Sequence, residues 1–372
     1  MNRFDSTRRT FLMTPTATAA AAILSAQSSD TLLVAFIGVG NRGSFLLRHM
    51  LEVPNVRIIA VCDLIEQRAE QAASAVAAKG FNRPKVYTDY KKLLEEMKEV
   101  QAVVGATPDW THIDVYPAVL ERGIHLYGEK PVALTPEHCR IIASQAKRSK
   151  GLMSVGFQLR HDPNRNAVEK FIHSGGLGKV LMCHGMRHGG DLPRNIPWYF
   201  DKTKCGDIVI DQGIHILDLF RWAIGARPLR AMGSGGQNLF VNEPPGRTVM
   251  DNYNLILEYP GDVRVNFSHH YFDPPGFTGI QERVFGSQGS ADLAAGTWQP
   301  REQKGPPIKL DVPNAGKDST FMALAEFTDC IRNKREPLNT IDSAVDSTLQ
   351  AIMATKAIYE KRIVTWEEVA RG

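Results

Sequence analysis

Residues 34–43 read VAFIGVGNRG. An apolar run rich in strand formers, TLLVAFIG, stops at glycines, and helical periodicity begins at once in SFLLRHMLE. Strand, tight turn and helix N-terminus therefore follow one another without a break. In that context Gly38 permits the turn, Gly40 lets backbone approach a pyrophosphate, and Gly43 allows close packing of helix on strand, with Asn41 and Arg42 completing the loop. The free N–H groups of the helix start favour an anion. Asp63 ends the next strand, VRIIAVCD, where a carboxylate accepts hydrogen bonds from both ribose hydroxyls and repels a 2′-phosphate. The loop is read as a dinucleotide site for NAD, and Arg42 and Arg68 leave NADP open. A flavin would call for a further binding domain that nothing in the sequence announces.

The same alternation of strand and helix continues to Gln158. IEQRAEQAASAVAAK, IDVYPAVLERG and PEHCRIIASQAKRSK have helical patterns; QAVVGATP, IHLYGEKP and GLMSVGFQ are strand-like. This rhythm gives βαβ units and a doubly wound parallel sheet, a Rossmann-type domain over residues 31–158. Beyond residue 160 the rhythm changes. One helix, NRNAVEKFIHSG, precedes the long strand KVLMCHGMRH, a loop rich in Pro, Gly and aromatics, and the helix GDIVIDQGIHILDLFRWAIG. A succession of strands separated by turn signals follows, which predicts an α+β domain with a large, open, mainly antiparallel sheet over 159–336. A C-terminal helix and tail, 337–372, is expected to pack back on the first domain.

The chain has 372 residues, 43% hydrophobic, with a net charge of +4. That charge is small and dispersed, so no nucleic-acid partner is expected. The five scattered cysteines define neither a zinc site nor a disulfide framework. The N-terminus pairs Arg8 and Arg9 with Phe11 and Leu12, then an Ala-rich apolar stretch and small residues. Residues 1–28 thus resemble a twin-arginine export signal, with Met13 where the pattern has Lys. A periplasmic or otherwise exported location is expected, with the cofactor tightly bound. No stretch of the mature chain is long enough to span a membrane.

Three stretches carry the chemistry. ATPDWTH and YGEKPVA follow parallel strands, so Thr107, Pro108, His112, Glu129 and Lys130 should line one crevice with the glycine loop. In GDIVIDQGIHILD, Asp211, His215 and Asp218 share one face of an apolar helix. Burying such groups without partners costs a few kcal/mol, roughly, which argues for a use; Asp218 is read as supporting or structural. Gln158, Arg160 and His161, with Trp198 and Tyr199, offer the planar polar groups and aromatic faces that sugar rings favour. His184 and His188 alternate on one strand face but lack an acidic partner in sequence, so no metal is expected.

GVGNRG, Asp63, TPDWTH, GEKP and GDIVIDQGIHILD, in that order, resemble the glucose–fructose oxidoreductase / inositol dehydrogenase / MocA (Gfo/Idh/MocA) family over nearly the whole mature chain. The resemblance implies a catalytic triad of Lys130, Asp211 and His215. His215 would be the general base, Lys130 would polarise the reacting oxygen, and Asp211 would bind a substrate hydroxyl or tune the imidazole. Lys204-Cys205 stand where the family pattern commonly has glycines. The implied activity is hydride transfer between a nicotinamide and a sugar, polyol or sugar derivative, by a homo-oligomer. An NAD-dependent glycoside hydrolase on the same scaffold is the alternative, and a non-catalytic sugar-binding protein a third reading that the intact triad argues against.

Overall fold

The computed structural model describes residues 31–371; the twin-arginine reading falls outside them. β1 (Leu32–Ile37) leads into α1 (Asn41–Met50), β2 (Val56–Cys62) into α2 (Glu66–Ala78), and β3 (Lys85–Tyr87) into α3 (Tyr90–Glu96). β4 (Ala102–Gly105) leads into α4 (His112–Leu120), β5 (His125–Gly128) into α5 (Pro136–Arg148), and β6 (Met153–Val155) ends the run. The six strands pair in the order β3-β2-β1-β4-β5-β6, every neighbour parallel. The order reverses between β1 and β4, and a crevice opens at such a switch point, outside the carboxyl ends of the strands. β3 and α3 have no counterpart in the sequence reading. A three-residue strand is too short to show a period.

The second part holds α6 (Pro163–His173), β7 (Val180–His188), the short α7 (Lys202–Cys205), α8 (Ile214–Ile224), β8 (Arg230–Gly236), β9 (Asn252–Tyr259) and β10 (Val263–His270). It continues through β11 (Gly279–Gly286), β12 (Gly289–Asp292), β13 (Thr297–Pro300) and β14 (Ile308–Lys309). Then come α9 (Ser319–Asn333), α10 (Ile341–Glu360), β15 (Val364–Thr365) and α11 (Trp366–Arg371). Nine strands pair in the order β14-β13-β12-β11-β7-β10-β9-β8-β15. All neighbours are antiparallel except β7 and β10, which run parallel because α8, β8 and β9 intervene as a crossover.

Alternation decides which face is covered. Val263, Val265, Phe267 and His269 of β10 are buried while the residues between them are not, and β9 shows the same period. α8 lies on the buried face. A Cβ at Gly185 would come within 2.8 Å of the Phe220 and Ile216 side chains, so glycine there lets the helix approach. The opposite face stays open.

α9, assigned from sequence to the second part, packs on the first instead. Ala323, Leu324 and Phe327 join the core between β1, α1 and α2, and the Phe327 ring meets Tyr127 edge-on at 5.8 Å. α10 ties the two sheets together. Thr348 accepts from the Val132 N–H at 3.2 Å, and Gln350 bonds both Tyr259 Oη and the Leu217 carbonyl. β15 pairs with β8, so the tail belongs to both layers. No helix of the described residues is long and apolar enough to cross a membrane. All five cysteines are buried thiols.

Candidate active site

The glycine loop sits at the switch point. Gly38 has φ +86°, and a Cβ on it would lie 2.6 Å from the Ala106 backbone, so the turn is pressed against the Ala106–Thr107 strand end. A Cβ on Gly43 would meet the Gly38 carbonyl oxygen at 2.0 Å. Gly40 differs: the nearest atom to a Cβ there is the tip of Arg68, 3.7 Å away. Protein packing does not demand glycine at 40, whereas a ligand phosphate against the backbone would. No side chain caps α1, and no acidic residue occupies its first turn, so its opening N–H groups are left for an anion. Asn41 is exposed beside them. Asp63 accepts from the Val39 and Ile65 N–H groups at 3.0 and 2.9 Å, which fixes its carboxylate beside the loop. These features fit a nicotinamide dinucleotide held by Gly38–Gly43, Asp63 and Thr107–Pro108.

A polar chain runs from the loop into the second part. Arg42 donates to buried Glu129 at 2.6 Å. Glu129 accepts from the Lys130 backbone N–H at 3.2 Å. The Lys130 ammonium donates to the Asp211 carbonyl at 2.7 Å and to its carboxylate at 2.8 Å. The second Asp211 oxygen accepts from the Tyr199 hydroxyl. Burial works against the Lys130 charge, but Asp211, Asp109 and Glu129 outweigh it and raise its pKa. Asp211 lies in a π-helical turn, Val209–Gly213, that runs directly into α8. Such turns are frequent at functional sites, and this one replaces the regular helix expected across the stretch. His215 follows on α8. Burial, then the charges of Lys130 and Arg187, hold its imidazole well below the usual histidine range. It is thus a neutral ring, and its buried Nδ1 has no partner in the protein.

Further groups converge here that the sequence reading did not single out. Asp109 is buried next to Asp211, and one of its oxygens is unpartnered. Burial and the Asp211 charge push its carboxyl well above the usual range. Its signal was its place inside TPDWTH. Gln212 accepts from Arg187 at 3.1 Å and from Tyr271 at 3.0 Å, which sets a planar amide beside Asp211. Trp110, also new, meets the expected Trp198 edge-on, and Trp198 stacks on Tyr199, forming an aromatic wall with centroids 5.5 and 4.6 Å apart.

Several expected contacts turn out to be internal ties. His112 is fully buried, and its ring nitrogens face the Pro131 and Thr107 carbonyls at 2.8 and 3.0 Å. Burial pushes its pKa down to about 4. It braces two strand-end loops. Arg42, a candidate for a 2′-phosphate, is engaged with Glu129. Arg160 is sealed in a two-pronged pair with Asp218, at 2.8 and 2.6 Å, with Ser347 on the same carboxylate. His161 faces Glu326 of α9 at 3.3 Å. Arg160 spends its Nε and one Nη on that pair, whereas His161 keeps a buried Nδ1 with no partner in the protein. Gln158 keeps an unpartnered carbonyl oxygen and stays a candidate contact.

The departure at Lys204-Cys205 is harmless to the backbone, because both residues lie in the ordinary turn of α7. The demanding conformations come next: φ is +71° at Gly206 and +116° at Asp207. Asp207 holds its position through the Val209 N–H and the Tyr359 hydroxyl.

Comparison with known proteins agrees with this geometry. A family model described as "Oxidoreductase family, NAD-binding Rossmann fold" matches residues 32–157. Another, the "GFO/IDH/MocA C-terminal domain", matches residues 166–292. The chain is 31% identical to an inositol 2-dehydrogenase of Salmonella typhimurium over 196 residues, 52% of this chain and 55% of that protein. The match thus spans about half the length of that relative. It is 26% identical to a scyllo-inositol 2-dehydrogenase (NAD(+)) of Bacillus subtilis over 327 residues, 84% of this chain and 90% of that one. Among solved structures, the scyllo-inositol dehydrogenase of Lactobacillus casei with bound NAD(H) and scyllo-inositol superposes with a TM-score of 0.76. At 15% identity, over 91% of this chain and 99% of that one, it bears on the fold alone. With both halves matched in order and the glycine loop, Lys130 and Asp211 joined in one polar chain, the protein belongs to the Gfo/Idh/MocA oxidoreductase family.

Proposed function

We propose that the protein is an NAD-dependent oxidoreductase acting on a cyclic polyol or sugar of the inositol type, exported through the twin-arginine pathway and working as a homo-oligomer. One observation carries the catalytic reading. The Lys130 ammonium is locked onto Asp211 at 2.8 Å, one helical turn before a neutral histidine, in a chain of contacts that begins at the glycine loop.

When bound, the nicotinamide supplies the hydride acceptor, held by Gly38, Gly40, Gly43, Asp63, Thr107 and Pro108. The protein does the rest. Lys130 donates a hydrogen bond to the substrate hydroxyl oxygen and stabilises the negative charge that grows there. His215 accepts the hydroxyl proton at a ring nitrogen. Asp211 fixes the ammonium, and Tyr199 fixes Asp211, so neither charge must reorient during the reaction. The unpartnered Asp109 oxygen can bond a second hydroxyl. The aromatic wall of Trp110, Trp198 and Tyr199 matches the apolar C–H face of a ring. NAD is favoured over NADP because Asp63 stands beside the glycine loop, where its carboxylate would meet the ribose hydroxyls, while Arg42 is turned to Glu129; exposed Arg68 is a second cation nearby.

The test is a screen of inositols, aldoses and aryl glycosides with NAD, reading nicotinamide absorbance and aglycone release together, with the cofactor content of the purified protein measured by mass spectrometry. Net NADH from a polyol or sugar is the expected result. Aglycone release without net NADH would replace the dehydrogenase with the hydrolase, and absence of any NAD binding would overturn both.

A further inference from the structure

On the open face of the nine-stranded sheet, away from α8, three side chains come together that the reaction does not use. His188 and His270 close the parallel strands β7 and β10 and are direct partners in register, so their rings project side by side. The ring centroids are 3.7 Å apart. Asp273, from the loop after β10, folds back over both. One carboxylate oxygen is 3.5 Å from His188 Nδ1, and the other is 3.5 Å from His270 Nε2. The acidic partner missing from the sequence spacing is thus supplied by the fold, through His270 rather than His184.

We propose that His188, His270 and Asp273 form a binding site for a divalent transition-metal ion of the zinc type. The distances argue for an ion rather than for direct hydrogen bonds. A charged imidazole–carboxylate pair in contact closes to about 2.7–2.9 Å. Ligands bound about 2.0–2.1 Å from a tetrahedral zinc ion stand about 3.3 Å from one another. Each carboxylate oxygen stands near the second spacing from one ring nitrogen, so the carboxylate reaches both rings, and one donor atom from each of the three residues lies within 4.8 Å of the others. Two imidazole nitrogens and one carboxylate oxygen suit zinc, and three protein ligands leave a fourth position for water or a ligand atom.

The surroundings hold the ligands in place. Ser268 Oγ bonds His188 Nε2 at 2.9 Å, which turns Nδ1 toward Asp273. Phe272 stacks flat on His270, with centroids 4.4 Å apart and planes within 8°. The Gly189 N–H donates to the His270 carbonyl at 2.8 Å, and the Asp273 N–H donates back to the Gly189 carbonyl at 3.0 Å. A Cβ on Gly190 would strike the Asp273 carbonyl at 2.9 Å, so the glycine pair after β7 is what lets this loop close over the rings. An ion here would join the exits of β7 and β10. Those exits lead to Tyr199 on one side and to Tyr271, which holds Gln212, on the other. The site is therefore a staple on two walls of the candidate pocket, outside the reaction itself.

Full-length protein without a polyhistidine tag, stripped with a chelator, is titrated with Zn²⁺ and with Co²⁺. The expected result is one equivalent bound, a visible Co²⁺ band of tetrahedral type, and a melting midpoint raised by Zn²⁺. Asp273→Asn and His270→Gln should each weaken binding by more than the roughly 10–100-fold that follows loss of an outer-shell partner, while His184→Gln leaves it unchanged. Should His270→Gln fail to fold, Asp273→Asn, a loop position, carries the comparison. Absence of stoichiometric binding, or equal affinity in Asp273→Asn and the parent, would overturn the proposal.

Discussion

Asp211 and Asp218 lie on the same stripe of the same helical segment, and sequence presents them as equals. The structure separates them. Asp218 is closed on every side: Arg160 grips it with two nitrogens, Ser347 adds a third donor, and both the carboxylate and the guanidinium are buried. The Asp211 cluster is held just as firmly on one side but left incomplete on the other. His215 Nδ1 and one Asp109 oxygen find no protein partner. Buried polar atoms are normally paired, and on the proposed function a ligand completes this set. Polarity within an apolar helix shows that something happens there.

Mutation can break this contrast. His215→Ala should lower turnover by about 10²–10⁴-fold, the usual worth of a positioned general base. NAD affinity and melting temperature should stay near the parent values, as steady-state kinetics and calorimetry would show. Asp218→Asn should do the reverse. It leaves the Arg160 guanidinium buried without its counter-charge, which costs about 3–5 kcal/mol of stability, read from urea unfolding; turnover per folded molecule should hold. If both variants lost stability alike and kept turnover alike, the two clusters would be one structural network.

A smaller effect sharpens the picture at the helix entrance. Burial raises the Asp207 carboxyl to about 6. Its folded value lies above the unfolded one, so between about pH 4 and pH 6 the folded state binds the extra proton and stability falls as pH rises. Asp207→Asn keeps a residue tolerant of positive φ and removes that titration. The melting temperature of the variant relative to the parent should therefore climb across this interval and level off above it. A flat difference would show that Asp207 does not titrate there.

Much of this was legible beforehand, for identifiable reasons. The parallel sheet follows from apolar runs separated by helical periods, and the glycine loop from its fixed place after β1. Lys130, Asp211 and His215 were singled out because polar residues stand out at strand ends and in apolar helices. Contacts between distant segments were not legible. Nothing near Arg160 announces Asp218, nothing near His161 announces Glu326, and nothing near His188 announces Asp273. Those partners are chosen by tertiary packing. The two carbonyls that face the His112 ring were likewise not legible, because a strand-end position alone does not say which way a side chain turns.

The packing of α9 on α1 reaches into the order of synthesis. Ala323, Leu324 and Phe327 complete a core whose other members are encoded before residue 130. On the ribosome the nucleotide-binding half must wait, with an apolar flank exposed, until almost the entire polypeptide has emerged. A fragment ending near Gln158 would inherit that bare flank permanently, and its tendency to aggregate would follow from topology rather than from any flaw in its own strands.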